Sequence, residues 1–155
     1  MLEGSRFAEV ILLADDDPDD IDMTRRALAK NNLGAEIYTV GDGEELIDFL
    51  NHRGAHAPPA RSPRPSLILL DLNMPKMDGR EALAQIKSDP KLQPIPVVVM
   101  TTSTADQDIA RAYELGSNSF ISKPITLAEL VDITKVLGQY WFEIVKLPKP
   151  SENET

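Results

Sequence analysis

The sequence LILLDLNMPKMDG, at residues 67–79, decides the fold because an aliphatic run ends abruptly in an acid. Four aliphatic residues lead directly to Asp71, and a proline and an Asp-Gly pair follow shortly after it. An apolar run of this length, bounded by turn residues, is typical of a buried strand. Pro75 and Gly79 suit the turn into a following helix. We therefore expect Asp71 to lie at the carboxyl end of a central strand.

Apolar runs and helical patterns alternate on both sides of this segment. The pattern predicts further strands near residues 10–14, 33–40, 97–100 and 117–123. It predicts helices near residues 18–31, 44–50, 80–87 and 105–115, and from 127 past 139. Five strand-helix units, of which the third and fourth have strands that are apolar on both faces, indicate an α/β fold, a parallel sheet covered by helices.

The composition limits the class of protein. The chain has 155 residues, enough for one domain with a proper core, and it contains no cysteine. The net charge of −9 disfavours non-specific nucleic-acid binding. We find no membrane span and no secretory signal, and we expect a cytoplasmic protein. The predicted division is an N-terminal arm (1–9), one domain (10–139) and a C-terminal extension with a polar tail (140–155).

Polar residues stand at the predicted ends of four strands, and parallel strands bring those ends to one edge of the sheet. They are Asp15, Asp16, Asp71, Thr101 and Lys123. Clustered carboxylates repel one another, and a hard cation such as Mg²⁺ removes the conflict. Asp71 is then a plausible carboxylate nucleophile for a phosphoryl group, with the metal and Lys123 neutralising the transferring oxygens.

Four separated motifs, ILLADDDP, ILLDLNMPKMDG, VVVMTTS and FISKP, together resemble the receiver domain of two-component response regulators. The resemblance implies the flavodoxin-like receiver fold, doubly wound, with an extended last helix here. It implies that Asp71 accepts a phosphoryl group from a histidine kinase. It also implies that Mg²⁺ is bound by Asp16, Asp71 and the backbone carbonyl of Asn73, with Asp15 in support.

The resemblance assigns further roles around this site. Thr101 matches the switch hydroxyl, Lys123 the lysine that contacts phosphate, and Phe120 the switch aromatic. Asn73 and Ser103 occupy the positions that tune dephosphorylation. The bond from Lys123 to the following proline is expected to be cis, as is usual in the family.

Other polar residues have plainer explanations. Asp17, Asp19 and Asp20 suit the capped and solvated start of a helix. His52 and His56 fall in a long loop rich in proline, glycine and arginine, at residues 51–66, and we expect both to be solvated rather than metal ligands. The loop itself is expected to be a surface excursion.

The end of the last predicted helix carries more apolar surface than one helix can bury against its own domain. Either the chain folds back over this surface, or a partner covers it. We hypothesise a homodimer through the last helix and its extension, with two-fold symmetry. The predicted interface residues are Tyr140, Trp141, Phe142, Ile144 and Val145. This extension resembles the regulators paired with bacterial and cyanobacterial phytochromes, which implies a phytochrome kinase as partner.

The leading hypothesis is therefore a single-domain phosphoacceptor in signalling, with at most autophosphatase activity. A second is an aspartyl-phosphate phosphatase, but such enzymes commonly need an aspartate two residues after the nucleophile, where this chain has Asn73. A third is an interaction module that works without phosphorylation. The resemblance implies no DNA-binding output domain, and we expect neither nucleic acid nor membrane as a partner.

Overall fold

The computed structural model describes residues 9–31, 34–102, 106–123 and 126–144. The strands are β1 (Val10–Ala14), β2 (Glu36–Val40), β3 (Leu67–Leu70), β4 (Val97–Thr101) and β5 (Ser119–Ser122). The helices are α1 (Pro18–Lys30), α2 (Gly43–Leu50), α3 (Gly79–Ser88), α4 (Asp106–Glu114) and α5 (Leu127–Gly138). A 3₁₀ turn (Gly54–His56) follows α2, and a π-helical turn (Gln139–Ile144) continues α5. Among the described residues, no helix combines the length and the apolar character that crossing a bilayer requires.

The five strands form one parallel sheet in the order β2-β1-β3-β4-β5, which confirms the predicted fold class. β3 lies at its centre. Ala14 at the end of β1 lies opposite Leu70 at the end of β3, and Leu70 lies opposite Val99. The carboxyl ends of the three central strands therefore reach the same edge of the sheet.

The core lies on both faces of this sheet. Every residue of β1, β3 and β4 is buried, as expected for parallel strands between helical layers. On one face α2 and α3 contribute Phe49 and Leu83, and on the other α1 contributes Leu28. Fully burying one such side chain contributes about 1.5–3 kcal/mol, so the two layers hold the strand ends in a rigid frame.

Aspartates begin three of the helices. Asp17 caps α1 by accepting the N–H of Asp19 over 2.9 Å, and Pro18 is the first helical residue, as predicted. Asp42 and Asp78 cap α2 and α3 in the same way. A cap of this kind stabilises a helix by about 1 kcal/mol. These caps satisfy backbone N–H groups at the starts of the three helices.

Glycine at position 79 lets α3 begin directly beside the end of β3. A Cβ at Gly79 would collide with the backbone carbonyl oxygen of Asp71. At the end of α4, Gly116 has a φ of +106°, a conformation typical of the residue just past a helix. Both turns depend on the missing side chain.

The loop at residues 51–66 lies against its own domain through polar contacts. His52 is exposed, as expected, but His56 is only partly exposed, which corrects the expectation that both histidines are solvated. His56 Nε2 lies 2.9 Å from a carboxylate oxygen of Glu45, and its ring packs edge-on against Phe49. His52 Nδ1 lies 2.8 Å from the hydroxyl of Ser62, which is buried. The loop is thus a folded excursion, because both histidine side chains have partners within the protein.

The described part of the C-terminal extension, up to Ile144, is helical, and it corrects one predicted interface residue. Trp141 is only 8% exposed and packs in the core beside β1 and β3, so this chain itself covers the ring. Tyr140 is 49% exposed. Neighbouring side chains on a helix point in different directions, and the extension turns Trp141 inward and Tyr140 outward. The side chains of Phe142 and Ile144, and all of Val145, lie outside the described residues.

Candidate functional site

Two acids follow directly after adjacent buried strands at the carboxyl edge of the sheet. Asp15 follows β1 and Asp71 follows β3, and the two are 3% and 6% exposed. The N–H of Asp71 donates to the carbonyl of Ala14 over 2.9 Å, so the ladder between β1 and β3 continues into the site. Asp71 Oδ1 accepts the N–H of Asn73 over 3.2 Å. The backbone thus fixes both the position and the orientation of the Asp71 carboxylate.

Three acids of the predicted set come together. Asp15, Asp16 and Asp71 each offer a carboxylate oxygen, and the three oxygens lie within 4.8 Å of one another. Asp16 is exposed while the other two are buried. Burial raises the pKa of Asp15, against the opposing effect of the hydrogen bonds from Lys123 and from the N–H of Asp17. Hard oxygen donors at this spacing fit a small divalent cation such as Mg²⁺.

Lys123 enters the same site from the end of β5. Its backbone N–H donates to the carbonyl of Thr101 over 2.9 Å. Its ammonium lies 2.8 Å from Asp15 Oδ2, 2.7 Å from Asp20 Oδ2 and 3.1 Å from Asp71 Oδ2. Burial by itself lowers the pKa of Lys123, but the bonds to Asp15 and Asp20 outweigh it and raise the pKa above its ordinary value. The lysine is therefore a cation shared among three acids.

Asp20 is the residue that the sequence interpretation missed. We expected it only to start a helix, and it does lie in the first turn of α1. The same turn, however, brings its carboxylate onto Lys123 in the shortest of the three contacts. Its position in the sequence could have indicated this role. Asp20 lies in the first turn of the helix that follows Asp15 and Asp16, and that turn must begin close to the strand ends.

Thr101 and Asn73 are also brought together. Thr101 is fully buried at the end of β4, and its hydroxyl accepts a hydrogen bond from the side-chain amide of Asn73 over 3.3 Å. Phe120 lies on β5, packs against the core on the side of α2 and α3, and donates its N–H to the hydroxyl of Tyr113. The predicted tuning residue Ser103 and the bond from Lys123 to the following proline lie outside the described residues.

Known proteins resemble this chain over most of its length. A family model described as "Response regulator receiver domain" matches residues 11–135. Response regulator Rcp1 of Synechocystis sp. is 40% identical over 148 residues, which cover 96% of this chain and 99% of that protein.

Solved structures agree with the sequence comparison. The crystal structure of the phosphorylated cyanobacterial phytochrome response regulator RcpA has 43% identity and a TM-score of 0.85, and the match covers 92% of this chain and 100% of that one. The Mn²⁺-bound form of Rcp1 has 40% identity and a TM-score of 0.82, with 91% and 99% covered. Because the family model spans most of the chain and a relative of 40% identity matches almost end to end, the chain belongs to the response regulator receiver domain family.

Proposed function

We propose that the chain is a single-domain response regulator that receives a phosphoryl group on Asp71 from a sensor histidine kinase and then changes conformation. The arrangement around Asp71 carries this proposal. Lys123 donates to Asp71 Oδ2 over 3.1 Å, and Asp15 and Asp16 complete a cluster of oxygens around the same carboxylate. A carboxylate held between a cation and a cluster suited to a metal can act as a nucleophile toward phosphorus.

Asp71 supplies the nucleophile in this proposal. One carboxylate oxygen of Asp71 forms a bond to phosphorus, while the bond from phosphorus to the donor histidine nitrogen breaks and the imidazole leaves. The hydrogen bonds to Ala14 and from Asn73 support this role, since they hold the carboxylate in one orientation before the reaction. Preorganisation of this kind lowers the barrier because no strand has to move.

The phosphoryl group adds negative charge to an acidic site, and two sources of positive charge oppose it. Asp16, Asp71 and the backbone carbonyl of Asn73 would hold Mg²⁺, with Asp15 in support, and the bound ion neutralises charge on the phosphoryl oxygens. Lys123 supplies the second positive charge from the protein itself. The chain therefore needs its lysine for charge balance in both the resting and the phosphorylated states.

The conformational response starts at Thr101 in our proposal. Its hydroxyl now accepts from Asn73, and a phosphoryl group on Asp71 offers it a stronger, charged acceptor. A turn of Thr101 toward that group would alter the packing of β4 and β5, where Phe120 lies beside Val99. Asn73 and Ser103 are proposed to tune how long the phosphoryl group persists.

The kinase partner that we propose is a phytochrome. RcpA, which matches this chain at 43% identity over its full length, is a phytochrome response regulator by description. Transfer of a phosphoryl group from a kinase to a regulator requires neither a nucleic acid nor a membrane. The absence of both as partners, and a cytoplasmic location, stay predictions.

A homodimer through α5 and its extension is also proposed. Val136 on α5 is 62% exposed and Tyr140 is 49% exposed, so large apolar groups remain uncovered along this helix. A two-fold interface would bury both against their counterparts. Sedimentation of wild type and Tyr140→Asp checks this, and monomer at micromolar concentration with and without phosphorylation would contradict it.

Phosphotransfer tests the central proposal. A light-regulated histidine kinase carrying radiolabelled phosphate, and acetyl phosphate with Mg²⁺, should each label the wild type and not Asp71→Ala. Asp22→Ala is the matched control, because Asp22 is an exposed aspartate on α1 that pairs with Arg26. It should label like wild type. Equal labelling of Asp71→Ala would exclude Asp71 as the acceptor.

A further inference from the structure

We propose that Asp20 is a positioning residue that holds Lys123 beside the metal-binding acids and competes with the phosphoryl group for its ammonium. The inference rests on the proposed role of Asp71 as phosphoacceptor. An ammonium has three N–H donors. In the structure Lys123 contacts three carboxylates, at 2.8 Å from Asp15, 2.7 Å from Asp20 and 3.1 Å from Asp71. All three donors are therefore in use in the metal-free site, and a phosphoryl group can gain the ammonium only by drawing it away from the acids that still hold it.

The three acids are not equivalent, because only two of them belong to the metal cluster. Asp15 and Asp71 are members of the cluster with Asp16, and Asp20 is not. A cation bound to the cluster would repel the ammonium and compete with it for both buried carboxylates. Asp20 is then the acceptor that remains for Lys123. It lets the lysine stay in the site without occupying the ligands of the metal.

Asp20 is also the partner that Lys123 can leave at the lowest cost. Its side chain is 31% exposed, against 4% for Asp15 and 7% for Asp71. Water can replace the lost bond at an exposed carboxylate, whereas a buried one would stay unpaired. The phosphoryl oxygens are strong charged acceptors, so they can take the ammonium from Asp20.

The surroundings allow this exchange. A small pocket lies beside Lys123, lined by Asp20 together with Met23, Met100 and Leu130, and flexible methionine side chains can adapt to a moving lysine stem. Asp20 itself is held in place, since it lies in the first turn of α1 behind its cap, where the helix dipole favours a carboxylate. The lysine is thus the mobile partner and Asp20 the fixed one.

Two ligand titrations of Asp20→Asn test the proposal. Asp19→Asn is the matched control, because Asp19 is an exposed residue of the same first turn and loses the same charge. Calorimetry should show Mg²⁺ binding about fivefold weaker in Asp20→Asn, since Lys123 then stays on Asp15 and Asp71. At saturating Mg²⁺, fluorine NMR should show beryllofluoride, a phosphoryl mimic, binding about fivefold tighter. Asp19→Asn should change both affinities less than twofold.

Opposite changes in the two affinities separate positioning from a structural defect. If Asp20→Asn weakens both ligands, or changes neither, the proposal is overturned. In a Lys123→Gln background Asp20→Asn should alter neither affinity by more than twofold. Opposite changes that persist in that background would mean that Asp20 acts on the ligands directly, which also overturns it. If the wild type neither binds beryllofluoride nor is phosphorylated by acetyl phosphate, the proposed role of Asp71 as phosphoacceptor is refuted instead.

Discussion

The side-chain amide of Asn73 donates a hydrogen bond to the hydroxyl of Thr101 over 3.3 Å, and so joins the loop after β3 to the end of β4. Thr101 is fully buried, whereas Asn73 is exposed. The bond therefore connects a core residue of the candidate site to a residue that solvent reaches. A change at Asp71, whose carboxylate accepts the N–H of Asn73, can alter this bond without disturbing the strands.

Thr101→Val should separate the conformational response from phosphorylation. The variant keeps the shape of the side chain and loses one hydrogen bond, so the free energy of unfolding should fall by no more than about 1 kcal/mol. Acetyl phosphate should still label Asp71, but the amide NMR shifts of β4 and β5 on phosphorylation should shrink. Thr102→Val, at the exposed neighbouring position, is the control. A full wild-type shift pattern in Thr101→Val would contradict the switch role.

Lys123→Met should destabilise the metal-free protein. It removes the cation that Asp15 and Asp71 share and leaves two buried carboxylates facing each other. Breaking a buried ion pair costs about 3 kcal/mol, so urea denaturation in a chelator should show a loss of that order. Mg²⁺ should recover more stability in the variant than in wild type, because no ammonium competes for the cluster. Lys135→Met, at an exposed position, is the control and should change the free energy of unfolding little. Equal stability of Lys123→Met and wild type would contradict the role of Lys123 in balancing the charge of the acids.

The stability of Asp15→Asn relative to the metal-free wild type should rise with pH. Burial raises the pKa of Asp15 in the folded protein above its ordinary value of 3.8. The folded state therefore binds this proton more tightly, and that contribution to stability is full below pH 3.8 and is lost as pH rises through the folded pKa. In urea denaturation from pH 4 to 7, the free energy of unfolding of the variant should rise relative to that of wild type. A stability difference that is constant with pH would refute this.

Trp141→Ala and Tyr140→Ala should differ sharply although the residues are adjacent. Trp141 is buried against β1 and β3, so its truncation should cost about 3–5 kcal/mol of unfolding free energy. Tyr140 is half exposed, and its truncation should cost less than about 1 kcal/mol. Circular dichroism is the suitable probe, since Trp141 is the chain's single tryptophan. Similar losses in the two variants would show that the extension does not pack as described.

Local patterns in the sequence were sufficient for the scaffold. The aliphatic runs of β1, β3 and β4 predict buried parallel strands because strands covered on both faces need apolar residues at every position. Asp17 with Pro18 marks the start of α1, and Gly116 marks the end of α4. Each of these signals lies within a few neighbouring residues, so it does not depend on how the rest of the chain packs.

Much of the candidate site could be predicted from the sequence because the topology of the sheet determines where the strands end. Once strands are parallel, residues after their last apolar positions must meet at one edge. That rule brings Asp15, Asp71 and Lys123 together, and in the structure both carboxylates lie within 3.1 Å of the Lys123 ammonium. The roles assigned to these residues remain proposals that the experiments above decide.

Only the tertiary structure decided which side chains actually pair. Asp20 meets Lys123 across 103 positions of sequence, and the 2.7 Å contact depends on how α1 leans over the strand ends. Trp141 turns inward and Tyr140 outward because of the rotation of the last helical turns over the sheet. Periodicity predicts that a helix has an inner and an outer face, but the phase of that face is set by the packing of elements far apart in the chain.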